Sequence, residues 1–261
     1  MRGDKPDPEI HVTFPQTDGT ALSQDEEYCI VEAGGERHTI RFHDYQQIYK
    51  IPGLYEKIFY DRLECQSPAL IGTLLEYETT RRGMDMEDLM VLDVGAGNGI
   101  MGELLNEAGV ETVVGVDILK EAAEAAQRDR PGVYDAYYPV DLLNPPQAVE
   151  MALDAMPFNC LTLVAALGFG DIPAPVFATA YNHVADGGLV AFNLKESFTT
   201  GSDPSGFAAL IQQMEETETF EKSLEVQYVH RLNMRGEPLL YHAFVGCKLH
   251  DISGEDMPTM A

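Results

Sequence analysis

Residues 91–102 read VLDVGAGNGIMG: an apolar run, an acid at Asp93, and four glycines within eight positions. A strand that delivers straight into a glycine-rich turn and then a helix is a cofactor-binding arrangement. Glycine lets the backbone turn sharply and approach a ligand, and the helix N-terminus is electropositive. Two spacings overlap in the stretch. From Gly95 it reads G-x-G-x-G through Gly97 and Gly99; from Gly97 it reads G-x-G-x-x-G through Gly99 and Gly102. A dinucleotide loop starts its G-x-G-x-x-G at the end of the strand, so its third glycine would fall at position 100, which is Ile. Starting at Gly97 instead would extend the strand through Gly95, and glycine is poor inside a buried strand. The spacing therefore counts against a dinucleotide and leaves it as the alternative.

Asp93 weighs the other way. A carboxylate two residues before the first glycine would repel a pyrophosphate, but it suits an ammonium or sulfonium group. S-adenosylmethionine carries both, together with a carboxylate that backbone N–H groups can bind. The competing reading of Asp93 is a carboxylate that only orients the loop backbone. With D93-x-G95-x-G97-x-G99 in place, the chain resembles the class I S-adenosylmethionine-dependent methyltransferases, whose first motif is D/E-x-G-x-G-x-G. The resemblance covers residues 89–250 and implies cofactor contacts from Asp93, Gly95, Ala96, Gly97 and Gly99. Asp117 closes the next strand, VETVVGVD, where a carboxylate can accept both ribose hydroxyls, and Ile118 follows it. The resemblance also implies an adenine contact at Asp141 and Leu142, after the third strand; the plain alternative for Asp141 is a turn acid. Gly102 then reads as a place where a small residue lets the helix sit against its sheet.

Outward from the loop, the pattern alternates strand and helix. Strands fit 89–94, 112–116, 136–140, 160–166 and 187–194, and helices fit 99–108, 119–128 and 175–185. Such alternation predicts a parallel sheet with helices on both faces. A helix near 204–217 precedes two strand-like runs, 223–232 and 238–249, split by Asn233-Met234-Arg235-Gly236 as a hairpin. The expected fold is α/β: a doubly wound, Rossmann-like, mostly parallel seven-stranded sheet with a terminal antiparallel strand, plus an N-terminal helical lid. Residues 1–38, polar and rich in Pro, Gly and acid, read as a flexible or loosely packed arm. Residues 39–88 read as the helical lid and substrate segment, 89–250 as the cofactor-binding domain, and 251–261 as a tail.

Composition narrows the acceptor. The chain has 43 acidic and 17 basic residues, seven of them lysines, for a net charge of −26. That field opposes nucleic acid phosphates and anionic lipid and tolerates a small neutral or cationic molecule. It is also the balance that a high-salt habitat favours, since screening relieves self-repulsion, so stability is expected to rise with salt. No signal peptide or membrane span is visible, and the four scattered cysteines suit a reducing cytoplasm. No acids or histidines show metal-ligand spacing, so no metal is expected.

The resemblance implies methyl transfer to a small molecule by in-line displacement, with S-adenosylhomocysteine as product. The nucleophile, whether O, N or S, stays open, and the expected protein is a monomer or homodimer. Alternatives are an NAD(P)-dependent oxidoreductase and a related fold that performs aminopropyl transfer or binding only. The N/D-P-P-Y/F/W motif of nucleobase-amine methyltransferases is missing after the fourth strand; Asn144-Pro145-Pro146 follows the third and reads as a turn. Fold logic puts Ala165 to Asp171, including Phe169, beside the reacting methyl group. Tyr45, Tyr49, Tyr55 and Tyr60 in the aromatic segment are candidate substrate contacts, or packing residues at helical spacing. No histidine, His43 included, is assigned as a base.

Overall fold

The computed structural model describes residues 10–15, 22–168, 171–199 and 205–254. The chain opens with strands β1 (His11–Thr13), β2 (Tyr28–Ala33) and β3 (Glu36–Arg41). Helix α1 (Tyr45–Lys50) follows, then a one-turn α2 (Leu54–Glu56) that continues as a π-helical segment over Lys57–Arg62, and α3 (Ser67–Arg81). Alternation then sets in with β4 (Met90–Val94), α4 (Ile100–Glu107), β5 (Thr112–Asp117), α5 (Lys120–Asp129) and β6 (Ala136–Pro139). It continues through α6 (Gln147–Asp154), β7 (Cys160–Leu163), α7 (Ala174–Asn182) and β8 (Leu189–Lys195). Helix α8 (Phe207–Glu216) leads into the long hairpin of β9 (Phe220–Leu232) and β10 (Pro238–Lys248).

The main sheet has the order β6-β5-β4-β7-β8-β10-β9. Strands β4 to β8 run parallel, and β10 lies antiparallel to both β8 and β9. The expected seven-stranded, doubly wound sheet is present. Alternate residues of each strand serve opposite faces. Leu92, Val114, Leu161 and Phe192 pack under α7 and α8, whereas Val91, Val113, Cys160 and Ala191 pack under α3 and α4. By this parity Asp93 falls on the α4 side. Strand β7 stops at Leu163, short of the expected 166, because Ala165 takes φ +57° and its N–H goes to the Asn193 side chain at 2.7 Å.

The N-terminal region differs from its reading as a loose arm. In its described part, β1, β2 and β3 form an antiparallel sheet in which Val12 faces Val31 and Cys29 faces Ile40. Those four side chains converge with Phe42, Ile48, Leu54, Ile58 and Phe59 in a core of their own. Apolar residues are sparse there, and it is the cross-strand pairing that gathers them. The span expected as a lid also divides. Segments α1 and α2 close this N-terminal core, while Ile71 and Leu75 of α3 belong to the core of the main sheet.

Buried polar bonds join the two parts. Glu27 and Arg231 pair at 2.8 Å with both side chains almost wholly buried, and Glu27 also accepts from the Met234 N–H. Backbone bonds run from Leu232 N to Leu63 O and from Gln66 N to His230 O. Among the described residues no helix is long and apolar enough to cross a membrane, and no group of three or more His, Cys, Asp or Glu could hold a metal.

Candidate functional site

In the main sheet β4 lies between β5 and β7, so connections leave in opposite directions at its carboxyl end and a crevice opens there. The glycine loop fills the floor of that crevice. Gly95, Gly97 and Gly99 all have positive φ (73°, 55° and 90°), whereas Gly102 lies inside α4. The turn therefore uses the glycines at 95, 97 and 99. Gly95 and Ala96 donate their N–H groups to Val116 O, and Gly97 N–H donates to Asp117 Oδ2 at 3.0 Å. Asp117 Oδ1 accepts from Leu119 N–H at 2.9 Å, so each carboxylate oxygen takes one backbone bond and keeps a lone pair for a ligand. Burial raises the Asp117 carboxyl, against those N–H bonds.

Asp93 lies beneath the loop, 1% exposed. Its Oδ1 accepts from Thr162 Oγ1 at 2.7 Å and its Oδ2 from the Tyr134 hydroxyl at 2.8 Å. Burial pushes the carboxyl up to about 6 against those two bonds, and the Asp117 charge adds to the rise. The same Tyr134 hydroxyl lies 3.3 Å from Ala96 O, so Asp93 does orient the loop, through a tyrosine. Gly102 serves that tyrosine: a Cβ there would stand 2.8 Å from the Tyr134 ring. The small residue expected to seat the helix on its sheet instead makes room for the ring. Tyr134 and Thr162 escape sequence reading, since neither belongs to a motif; the one signal was an interior helical glycine with no turn to make.

Over the loop lies a cavity of about 420 Å³, in the range typical of small-molecule sites. Tyr45, Tyr49, Tyr55 and Tyr60 all line it. The Tyr49 hydroxyl stands where a Gly97 Cβ would come within 2.6 Å, so α1 closes directly over the loop. Tyr49 is also packed on Ala122 and Ala125 of α5. Glu56 adds a polar tie, accepting from Asn98 of the loop and from Arg130, each at 2.8 Å. Asp171 lies across the cavity and meets His43 Nδ1 at 2.9 Å. His43, unassigned from sequence, thus becomes part of the wall through a partner 128 positions away. Phe169 lies outside the described residues.

Asp141 and Leu142 also line the cavity. Asp141 makes a turn, accepting from Leu143 N–H and the Asn144 side chain, and these bonds hold its carboxyl below the usual range. Ile118 is 67% exposed, an apolar side chain on the cavity lining. Five aspartates (44, 93, 117, 141 and 171) and no lysine or arginine occur among the described residues lining the cavity.

The sequence matches the methyltransferase domain family over residues 66–223, more than half of the chain. The chain belongs to that family. No curated protein matches it. The N-methyltransferase NodS of Bradyrhizobium japonicum, solved with S-adenosyl-L-homocysteine, is 16% identical with a TM-score of 0.53, covering 78% of this chain and 97% of its own. A Pyrococcus horikoshii protein described as a candidate RNA methyltransferase is 14% identical with a TM-score of 0.50, covering 68% and 83%. At these identities the likeness establishes the fold.

The family's methyl donor is S-adenosylmethionine, and this methyltransferase domain has the features to hold it. The acidic wall, without lysine or arginine among its described residues, matches a molecule carrying sulfonium and ammonium charges, and the spare lone pairs of Asp117 match a ribose diol. Ile118, Leu142 and Ala165 lie on the lining of the same cavity, Ala165 two residues beyond the end of β7. Ala165 is one of the few non-glycine residues with positive φ, held there by Asn193, which also bonds Ser67 and Tyr228. Backbone strain of this kind persists where surrounding bonds fix it, here on the cavity wall.

Proposed function

We propose that the protein methylates a small amine held in the tyrosine-lined part of the cavity. The observation that carries this reading is the wall itself: five aspartates, four tyrosines and no lysine or arginine among its described residues. Such a wall repels phosphates and carboxylates and attracts an amine, whose cationic form tyrosine faces also stabilise. The net charge of −26 extends the same preference to long range and disfavours nucleic acid. The free cysteines suit a reducing cytoplasm. The dinucleotide alternative loses support because its third glycine, Gly102, is occupied with Tyr134.

When bound, S-adenosylmethionine supplies a methyl group on a sulfonium sulfur that leaves with the bonding pair. The chain's part is to align the amine, exclude water and take a proton. Burial raises the hydroxyl pKa of Tyr45, Tyr49, Tyr55 and Tyr60 above that of free tyrosine, so these stay neutral and orient the acceptor. The proton goes to the His43–Asp171 pair, where an imidazolium would face a carboxylate at 2.9 Å. Replacing His43 by Gln should lower kcat about 100-fold or more while leaving S-adenosylhomocysteine affinity unchanged. Turnover kinetics beside calorimetry separate the two effects, and an unchanged kcat would remove His43 from the reaction.

Donor binding should depend on pH through Asp93. A cation beside it favours the ionised form, so binding expels the proton that a carboxyl of pKa about 6 retains in the free protein. Affinity for S-adenosylmethionine should be full above pH 6 and decline as pH falls below it. Asp93→Asn should flatten that profile; a variant keeping the wild-type slope would assign it to Asp117. The test of function is a methyl-transfer screen over amines, phenols, thiols and carboxylates with S-adenosylhomocysteine release as readout. Amines should turn over. Transfer to carboxylates alone, or absence of S-adenosylhomocysteine binding, would overturn the proposal.

A further inference from the structure

Behind the His43–Asp171 pair a second, smaller cavity of about 30 Å³ shares the walls His43, Tyr45, Tyr55, Ala165 and Asp171 with the main one. It is also lined by Gln24, from the N-terminal region, and Tyr241, from β10. Gln24 is 7% exposed, and its Nε2 donates to the Tyr241 hydroxyl at 2.8 Å. Its Oε1 is buried with no hydrogen-bond partner. A buried carbonyl oxygen left in this state forfeits its hydration without a replacement bond, so such groups are rare in native proteins.

Gln24 and Tyr241 act as a unit. With the amide as placed, Gln24 Oε1 is a spare acceptor and the Tyr241 O–H a spare donor. With the amide turned over, its N–H is the spare donor and the Tyr241 oxygen the spare acceptor. Either way the pair offers the cavity one donor and one acceptor. Neither group is charged, and the Asp171 carboxylate on the same wall is engaged with His43 at 2.9 Å. Arg231 on the same wall is paired with Glu27, and burial and the Arg231 charge push His230 well below its usual value, keeping it neutral. Burial pushes Tyr241 up to about 12, so it keeps its proton. The space takes a group the size of one or two waters.

We propose that this inner cavity is the acceptor's specificity subsite, in which Gln24 and Tyr241 read a hydroxyl or carboxamide at the end of the amine remote from the methylated nitrogen. The proposal rests on methyl transfer to an amine in the main cavity. It assigns a purpose to the N-terminal region, whose turn at Gln24–Glu26, just before β2, brings Gln24 to Tyr241 of β10. An apolar end group would leave two buried polar groups unpaired and be rejected, whereas a hydroxyl satisfies both.

The test measures binding of linear amino alcohols, from ethanolamine to aminohexanol, to the S-adenosylhomocysteine complex of the whole chain. Alkylamines and diols of equal length serve as controls. At the best-fitting length the amino alcohol should bind about 10-fold or more tighter than its alkylamine. Gln24→Leu should erase that preference and leave S-adenosylhomocysteine affinity unchanged; Tyr241→Phe, which keeps the ring, should reduce it. Equal binding of amino alcohols and alkylamines, or a preference that survives Gln24→Leu, would overturn the subsite and leave the cavity to an ordered water, with the amine reading intact. Gln24-dependent binding of diols without amines would overturn the amine reading and keep the subsite. Failure of every probe to bind would overturn both.

Discussion

Gly95→Ala is expected to weaken cofactor binding severely in a chain that still folds. Gly95 has φ +73°, where a residue with a Cβ is strained by about 1–2 kcal/mol. The added Cβ would also stand 2.7 Å from Ala166 Cβ and 3.0 Å from Ile172 Cδ1. Ile172 Cδ1 ends its side chain and can turn aside, but Ala166 Cβ is fixed to the backbone of the segment after β7. That segment must therefore move outward, or the loop must drop and break its bonds to Val116 O. We expect S-adenosylhomocysteine affinity to fall about 100-fold or more, which corresponds to about 2.7 kcal/mol. Calorimetry with circular dichroism checks it: a folded variant of wild-type affinity would show that the loop does not shape the cofactor site. Gly102→Ala is the informative partner. Its backbone is helical and unstrained, so its effect can only pass through the Tyr134 ring to Asp93, and the loss of affinity should be smaller.

The second large effect concerns the seam that holds the N-terminal sheet in place. Arg231→Met removes a buried guanidinium that bonds Glu27 at 2.8 Å and lies over the Phe42 ring at 5.6 Å and the Phe59 ring at 6.0 Å. Glu27 is then left buried and charged, with the Met234 N–H as its remaining bond. Breaking one side of such a pair typically costs about 3–5 kcal/mol, because an uncompensated charge stays behind. Denaturant unfolding should show that loss. The double variant Glu27→Gln, Arg231→Met should recover more than half of it, since the stranded charge is gone. A loss under about 1 kcal/mol in the single variant would mean that water reaches the pair and that the apolar contacts of Val12, Val31 and Ile40 hold the unit alone.

The sequence alone decided the sheet and the glycine loop at the end of β4. Strand–helix alternation is local, and period-2 and period-3.6 patterns survive in any window of about a dozen residues. For that reason β4, β5, β6 and the β9–β10 hairpin lie within a few residues of their expected limits. Asp93 before Gly95 and Ile100 in place of a glycine chose the register that the backbone angles display. What Asp93 bonds to was beyond the sequence's reach: Tyr134 is 41 positions away and Thr162 is 69. The order of residues 22–41 was equally hidden, because their apolar side chains form a core only when Val12 meets Val31 and Cys29 meets Ile40 across strands. The polar pairs on the walls of the two cavities depend on the same kind of distant meeting. His43 finds Asp171, and Gln24 finds Tyr241 from 217 positions away. Local sequence sets backbone preferences and hydrophobic period, and these determine the sheet and the donor loop. Only tertiary structure brings distant polar side chains within hydrogen-bond range, because no local pattern records which of them will meet.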